Sequence, residues 1–118
     1  MKKLTITTIF AATLMLLASF IKPPSKETTS FKVSGTCEMC KERIENALDV
    51  KGVRNATWNQ STQMVSVTYN PRKLEVKQLH NLVAIAGHDT ELVKASEQAY
   101  ADLPECCMYR SGAKCTDH

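Results

Sequence analysis

None of the common catalytic arrangements can be found in this chain of 118 residues. There is no Ser-His-Asp set, no pair of carboxylates placed for acid–base work and no glycine-rich phosphate loop, which argues against hydrolases, glycosidases and nucleotide-using enzymes. A surplus of charge is also missing. The formal net charge is +3, and Lys2 and Lys3 supply two of those units, leaving +1 for the remainder. A near-neutral domain offers no electrostatic footprint for nucleic acid. Cysteine is absent before position 37 and between positions 41 and 105. The five present, Cys37, Cys40, Cys106, Cys107 and Cys115, therefore staple nothing in between. An odd number also leaves one thiol outside any purely intramolecular disulfide scheme.

The longest uncharged run is Leu4 to Ile21, preceded by Lys2 and Lys3. A short basic start followed by an apolar stretch is the pattern of a secretory signal peptide. An uncleaved anchor is the alternative, since 18 uncharged residues lie at the lower edge of what spans a bilayer. Export to the periplasm or cell envelope is the expectation, with a mature chain of about 97 residues. There, thiols oxidise unless a metal or redox partner holds them.

The rest of the chain reads as residues 22–29, a Pro-Pro-bearing linker, residues 30–94, one domain, and residues 95–118, a cysteine-containing tail. Phe31 and Val33 alternate with Lys32 and Ser34, predicting a strand over about 29–34. Cys40, Ile44, Ala47 and Leu48 then fall on one helical face, predicting a helix over about 38–50 that Lys51-Gly52 ends. Val53 to Asn59 and Met64 to Tyr69 read as a hairpin. Val76, Leu79, Val83 and Ala86 mark a second helix over about 74–86, ended by Gly87, with His80 expected on its exposed side. His88 to Val93 reads as a fourth strand. The order strand, helix, strand, strand, helix, strand predicts an α+β, ferredoxin-like βαββαβ sandwich, with two helices on one face of a four-stranded antiparallel sheet. A short further helix is expected within Ala95 to Leu103, ended by Pro104. Trp58, Tyr69, Tyr100 and Tyr109 read as packing residues.

Cys37 lies on the loop before the first helix and Cys40 at its start. Two thiols with this spacing can converge on one soft ion, and the helix N-terminus favours thiolate over thiol. Thiolates select copper(I), zinc and mercury-like ions over magnesium or calcium. Two sulfurs suit near-linear copper(I) or mercury(II), whereas zinc takes four ligands.

Gly35-Thr36-Cys37-Glu38-Met39-Cys40, Ile44-Glu45-Asn46-Ala47-Leu48, Gly52-Val53 and Val65-Ser66-Val67-Thr68-Tyr69-Asn70-Pro71 together resemble a heavy-metal-associated domain. That family includes copper chaperones, N-terminal modules of copper ATPases and periplasmic mercury-binding proteins. The resemblance covers about 31–94. It implies that Cys37 and Cys40 bind one soft cation for transfer or sequestration, copper(I) first and mercury(II) or zinc(II) as alternatives, without enzyme activity. The implied partner is a metal-transporting membrane protein or another metal-binding domain, with the metal-free protein a monomer and any membrane contact made by an uncleaved N-terminal segment. The chain departs from the family where Ser34-Gly35-Thr36-Cys37 stands in place of the usual Gly-Met-Thr-Cys, whose methionine is tucked under the loop.

His88 is a candidate third ligand or a pH-sensitive neighbour of the site, and Met39 a candidate thioether. Glu38 and Lys41 flank the pair and could select a partner surface. In the tail, Cys106, Cys107 and Cys115, with His118, read in two ways. They form a second soft-metal site or complete the first, or Cys106 or Cys107 pairs with Cys115 in a disulfide. Two rivals to the metal reading are a thiol–disulfide oxidoreductase and a structural domain with an inert Cys37–Cys40 disulfide. The oxidoreductase lacks its longer αβ pattern, a proline opposite the pair and a tryptophan before it.

Overall fold

The computed structural model describes residues 24–112; the expected export segment, Cys115 and His118 lie outside the described residues. Three strands, β1 (Glu27–Lys32), β2 (Val53–Asn59) and β3 (Met64–Tyr69), form one antiparallel sheet in the order β1-β3-β2. Period-2 alternation decides its faces: Val65, Val67 and Tyr69 are buried while Met64 and Ser66 face out. Register brings Phe31 opposite Val65 on one side and Trp58 opposite Val65 on the other, so one apolar row crosses the sheet. The helices α1 (Glu38–Ala47) and α2 (Val76–Ile85) supply the other half of the core. Cys40 and Ile44 from the first, Leu48 at its C-cap, and Leu79 and Val83 from the second are fully buried. Each buried aliphatic side chain contributes about 1.5–3 kcal/mol relative to exposure. Among the described residues, no helix is long and apolar enough to cross a membrane.

Helix ends follow local chemistry. The α2 start carries a capping box in which Gln78 Oε1 accepts from the Glu75 backbone N–H at 2.7 Å. Its end falls at Gly87, whose φ of +103° is open to glycine at little cost. A Cβ there would also lie 2.7 Å from the Ala99 carbonyl oxygen, so glycine lets the next segment dock on the helix end.

The expected fourth strand is not formed. Val33 and Thr90 make one isolated antiparallel bridge, and the chain turns away immediately. The physical reason lies in side chains that compete with a ladder for backbone donors. Thr90 Oγ1 accepts from the N–H groups of Leu92 and Val93, Asp89 Oδ1 accepts from Ala95 N, and Glu91 Oε1 takes the Lys32 N–H. Among the described residues the fold is thus α+β with three strands.

Residues after 94 pack back onto this turn. The helix α3 (Glu97–Ala101) is capped by Ser96, whose side chain accepts from Ala99 N. Two 3₁₀ turns follow, Glu105–Cys107 and Tyr109–Ser111, where the sequence offered no regular pattern. Tyr109 OH donates to Gly87 O at 2.7 Å and accepts from Asp89 N at 2.8 Å. The Arg110 guanidinium bonds both Asp89 oxygens and the Ala95 carbonyl, and lies 4.4 Å from the centroid of the Tyr100 ring. Burial opposes the Asp89 carboxylate, yet the hydrogen bonds from Arg110 and Ala95 outweigh it and hold its pKa below the ordinary value.

His80 is a correction. It is 1% exposed, stacked on Phe31 at 3.8 Å between ring centroids, with Nδ1 2.6 Å from Thr90 Oγ1. The helical stripe is wider than its aliphatic residues indicated, because the non-strand 88–93 covers this side of α2.

Burial lowers the pKa of both His80 and His88 from 6.5, against Glu91 for the first and the Ser34 carbonyl for the second. The unfolded chain therefore takes up protons first. Stability from the two neutral rings is complete above about pH 6.5 and is lost as the pH falls below that value. The melting temperature is expected to drop between about pH 7.5 and 5.5, less so in His80→Gln. A flat profile would show that these rings do not titrate with folding.

Candidate metal centre

The loop between β1 and α1 is fixed from beneath and from the side. Gly35 leaves room under it: a Cβ there would meet the Trp58 ring tip at 3.0 Å and Cys40 Cβ at 3.1 Å. Trp58 thus stands against the loop where the resemblance led one to expect a methionine, and its Nε1 donates to Val33 O at 3.0 Å. From the β2–β3 turn, Gln63 Oε1 accepts from Gly35 N at 3.0 Å and Gln60 Nε2 donates to Thr36 O at 2.9 Å. No sequence signal distinguished these glutamines from ordinary turn residues.

Cys37 is the N-cap of α1, with extended backbone, and Cys40 lies in the first turn, so both sulfurs gather at the positive end of the helix. Their Sγ atoms are 3.9 Å apart. A disulfide needs about 2.05 Å, so an inert Cys37–Cys40 bond is not present. Cys37 is nevertheless disulfide-bonded, whereas Cys40, Cys106 and Cys107 are in no disulfide. A disulfide from Cys106 or Cys107 to the end of the tail is thereby also absent.

The tail brings one of its cysteines into the site. The sulfurs of Cys37, Cys40 and Cys107 all lie within 4.8 Å of one another, and all three residues are buried. Thr36 joins the two segments: its hydroxyl donates to the Cys106 carbonyl and lies 3.4 Å from Cys40 Sγ. Burial works against a Cys40 thiolate, but hydrogen bonds from Cys107 and Thr36 prevail and hold its pKa below 9.0. Burial and the neighbouring Cys40 and Cys106 push the Cys107 thiol far up. These directions make Cys107 the donor and Cys40 the acceptor of the hydrogen bond between them.

The other candidates are not members of this three-sulfur group. Cys106 Sγ is 3.3 Å from Met39 Sδ and 3.9 Å from Cys107 Sγ. Met39 is 46% exposed. His88 is fully buried, with Nδ1 2.9 Å from the Ser34 carbonyl oxygen and its ring stacked on Tyr109. Its Nε2 has no hydrogen-bond partner among the described residues. Lys41 bonds Glu45 at 2.9 Å and the Trp58 carbonyl at 3.2 Å, which ties α1 to β2 beside the loop. Glu38 is exposed at the helix start.

A family model described as the heavy-metal-associated domain matches residues 30–89, a little over half of the chain. The copper-exporting P-type ATPase of Bacillus subtilis strain 168 is 37% identical over 68 residues, which are 56% of this chain and 8% of that protein. The chain thus spans under a tenth of that relative's length. Among solved structures, the CopZ metallochaperone is 32% identical, with a TM-score of 0.52 over 54% of this chain and 98% of that one. Oxidised MerP from Ralstonia metallidurans CH34 is 28% identical, with a TM-score of 0.53 over 56% of this chain and 94% of that one.

Proposed function

The chain belongs to the heavy-metal-associated domain family, and on that premise we propose that it binds a soft metal ion through Cys37 and Cys40 and hands it on or sequesters it outside the cytoplasm. The observation that carries this reading is the pair of sulfurs 3.9 Å apart at the N-terminus of α1. Thiolate donors favour copper(I), the first choice, and mercury(II) over hard ions. Zinc is less suited, because its structural sites take four ligands. The relatives named for copper export and metal chaperoning support the same choice.

Transfer would go by ligand exchange, with a partner thiolate bonding the metal as one of this chain's sulfurs leaves. The partner would be a metal-transporting membrane protein or another domain of this family. The uncharged run Leu4 to Ile21 supports an exported location. No catalytic role is assigned, since binding and release suffice.

The Cys37 disulfide gives the test its form. The chain from Lys22 onward, reduced, is titrated with copper(I) and zinc(II) against competing chelators. One copper(I) per chain, held in preference to zinc, is the expected result, and the unreduced protein is expected to take up far less. If the reduced chain binds neither metal, the proposal fails. The Cys37 disulfide also favours one second reading, thiol–disulfide exchange, which the same reduced sample would reveal by reducing a test disulfide catalytically.

A further inference from the structure

We infer that the tail completes the metal site: Cys107 is a third thiolate, and the bound ion is a soft, three-coordinate one held by Cys37, Cys40 and Cys107. This rests on the soft-metal reading above and specifies the coordination it leaves open.

Sulfur spacing is the first argument. With metal–sulfur bonds of about 2.3 Å, a linear two-sulfur site sets its sulfurs about 4.6 Å apart, and a planar three-sulfur site about 4.0 Å. Cys37 and Cys40 stand at 3.9 Å, and Cys107 brings a third sulfur within 4.8 Å of both. Burial is the second. Cys40 and Cys107 are 0% exposed and Cys37 is 8% exposed, so little room is left for a water to serve as the fourth ligand zinc would take.

Anchorage is the third. Cys107 belongs to a 3₁₀ turn whose Cys107 N–H bonds Pro104 O at 2.8 Å, and the preceding Cys106 carbonyl accepts from Thr36. Beyond it, Tyr109 and Arg110 fasten the tail to Gly87 and Asp89. The side chains of Thr36, Tyr109 and Arg110, the last paired with Asp89, thus hold Cys107 at the loop. Uptake of the ion forms three metal–sulfur bonds and releases the remaining thiol protons to solvent. In transfer, a partner thiolate bonds the ion as the bond to Cys107 breaks, and Cys107 regains a proton from solvent. The tail is thereby a lid that retains the ion until a partner competes for it.

The test is X-ray absorption on the reduced chain from Lys22 to His118 loaded with one copper(I). Three sulfurs around copper are expected, falling to two in both Cys107→Ser and Cys107→Ala, with at least about tenfold weaker binding in chelator competition. Cys106→Ser and Cys115→Ser are expected to keep three. Two sulfurs in the unsubstituted protein would overturn the inference while leaving the two-thiolate carrier standing. Loss of the third sulfur in Cys115→Ser, with Cys107 variants unaffected, would overturn it as well. No copper uptake at all by the unsubstituted chain would overturn the soft-metal reading, and this inference with it.

Discussion

Trp58→Ala is expected to cost about 3–5 kcal/mol of folding stability. Small domains have only about 5–15 kcal/mol in total, so the variant should be partly unfolded at modest temperature. Trp58 is 1% exposed and joins the sheet to the underside of the cysteine loop. Truncation would empty the space beneath Gly35 and leave the Val33 carbonyl without its indole donor. Because the cavity would open directly under Cys40, metal affinity should fall along with stability. Urea unfolding followed by circular dichroism measures the first effect, and a loss below about 1 kcal/mol would show that the loop does not depend on the ring. The double variant Gly35→Met/Trp58→Ala tests the argument further. Methionine would refill part of the cavity from the loop side, and should recover some of the lost stability.

Cys40→Ser should have the largest effect on function. Loss of an outer-shell partner of a metal ligand costs about 10–100-fold in affinity. Removal of a ligand itself should exceed that. Serine keeps the size of the side chain but replaces a polarizable, readily ionised sulfur with a hard hydroxyl that stays protonated at neutral pH. It would also replace the large sulfur toward which Cys107 donates with a smaller hydroxyl oxygen on a shorter bond. Copper(I) affinity by chelator competition is expected to drop by more than about 100-fold while the circular dichroism spectrum is retained. Affinity within tenfold of the unsubstituted chain would move the site elsewhere in the molecule.

The redox state of Cys37 couples to both results. While that sulfur is committed to a disulfide it cannot serve as a thiolate ligand. Reduction is thereby a precondition for loading, a dependence that the reduced and unreduced titrations measure directly.

The local pattern of residues determined a good deal by itself. β2 and β3 fall where the sequence placed them; in β3 strict period-2 patterning admits only one set of inward residues, whereas β2 shifts register between Val53 and Asn55. Cys37 and Cys40 sit at the start of α1, as the loop and the apolar stripe after it required. The two glycines after the helices take positive φ, the backbone state that residue type permits most readily. These features depend on neighbours in sequence, and neighbours in sequence are visible in it.

Only the tertiary structure decided the rest. Residues 88–93 read as a strand after the second helix, but Asp89, Thr90 and Glu91 spend their side chains on backbone donors brought near by the fold. His80 looked like a solvent-facing helical residue until the turn at Thr90 covered it. The cysteines of the tail could be read as a metal site or a disulfide with equal reason. Cys107 reaches the loop because Tyr109 and Arg110 find Gly87 and Asp89 some twenty positions earlier. Such contacts join residues far apart in the chain, and their geometry exists only once the core has set the distance between them.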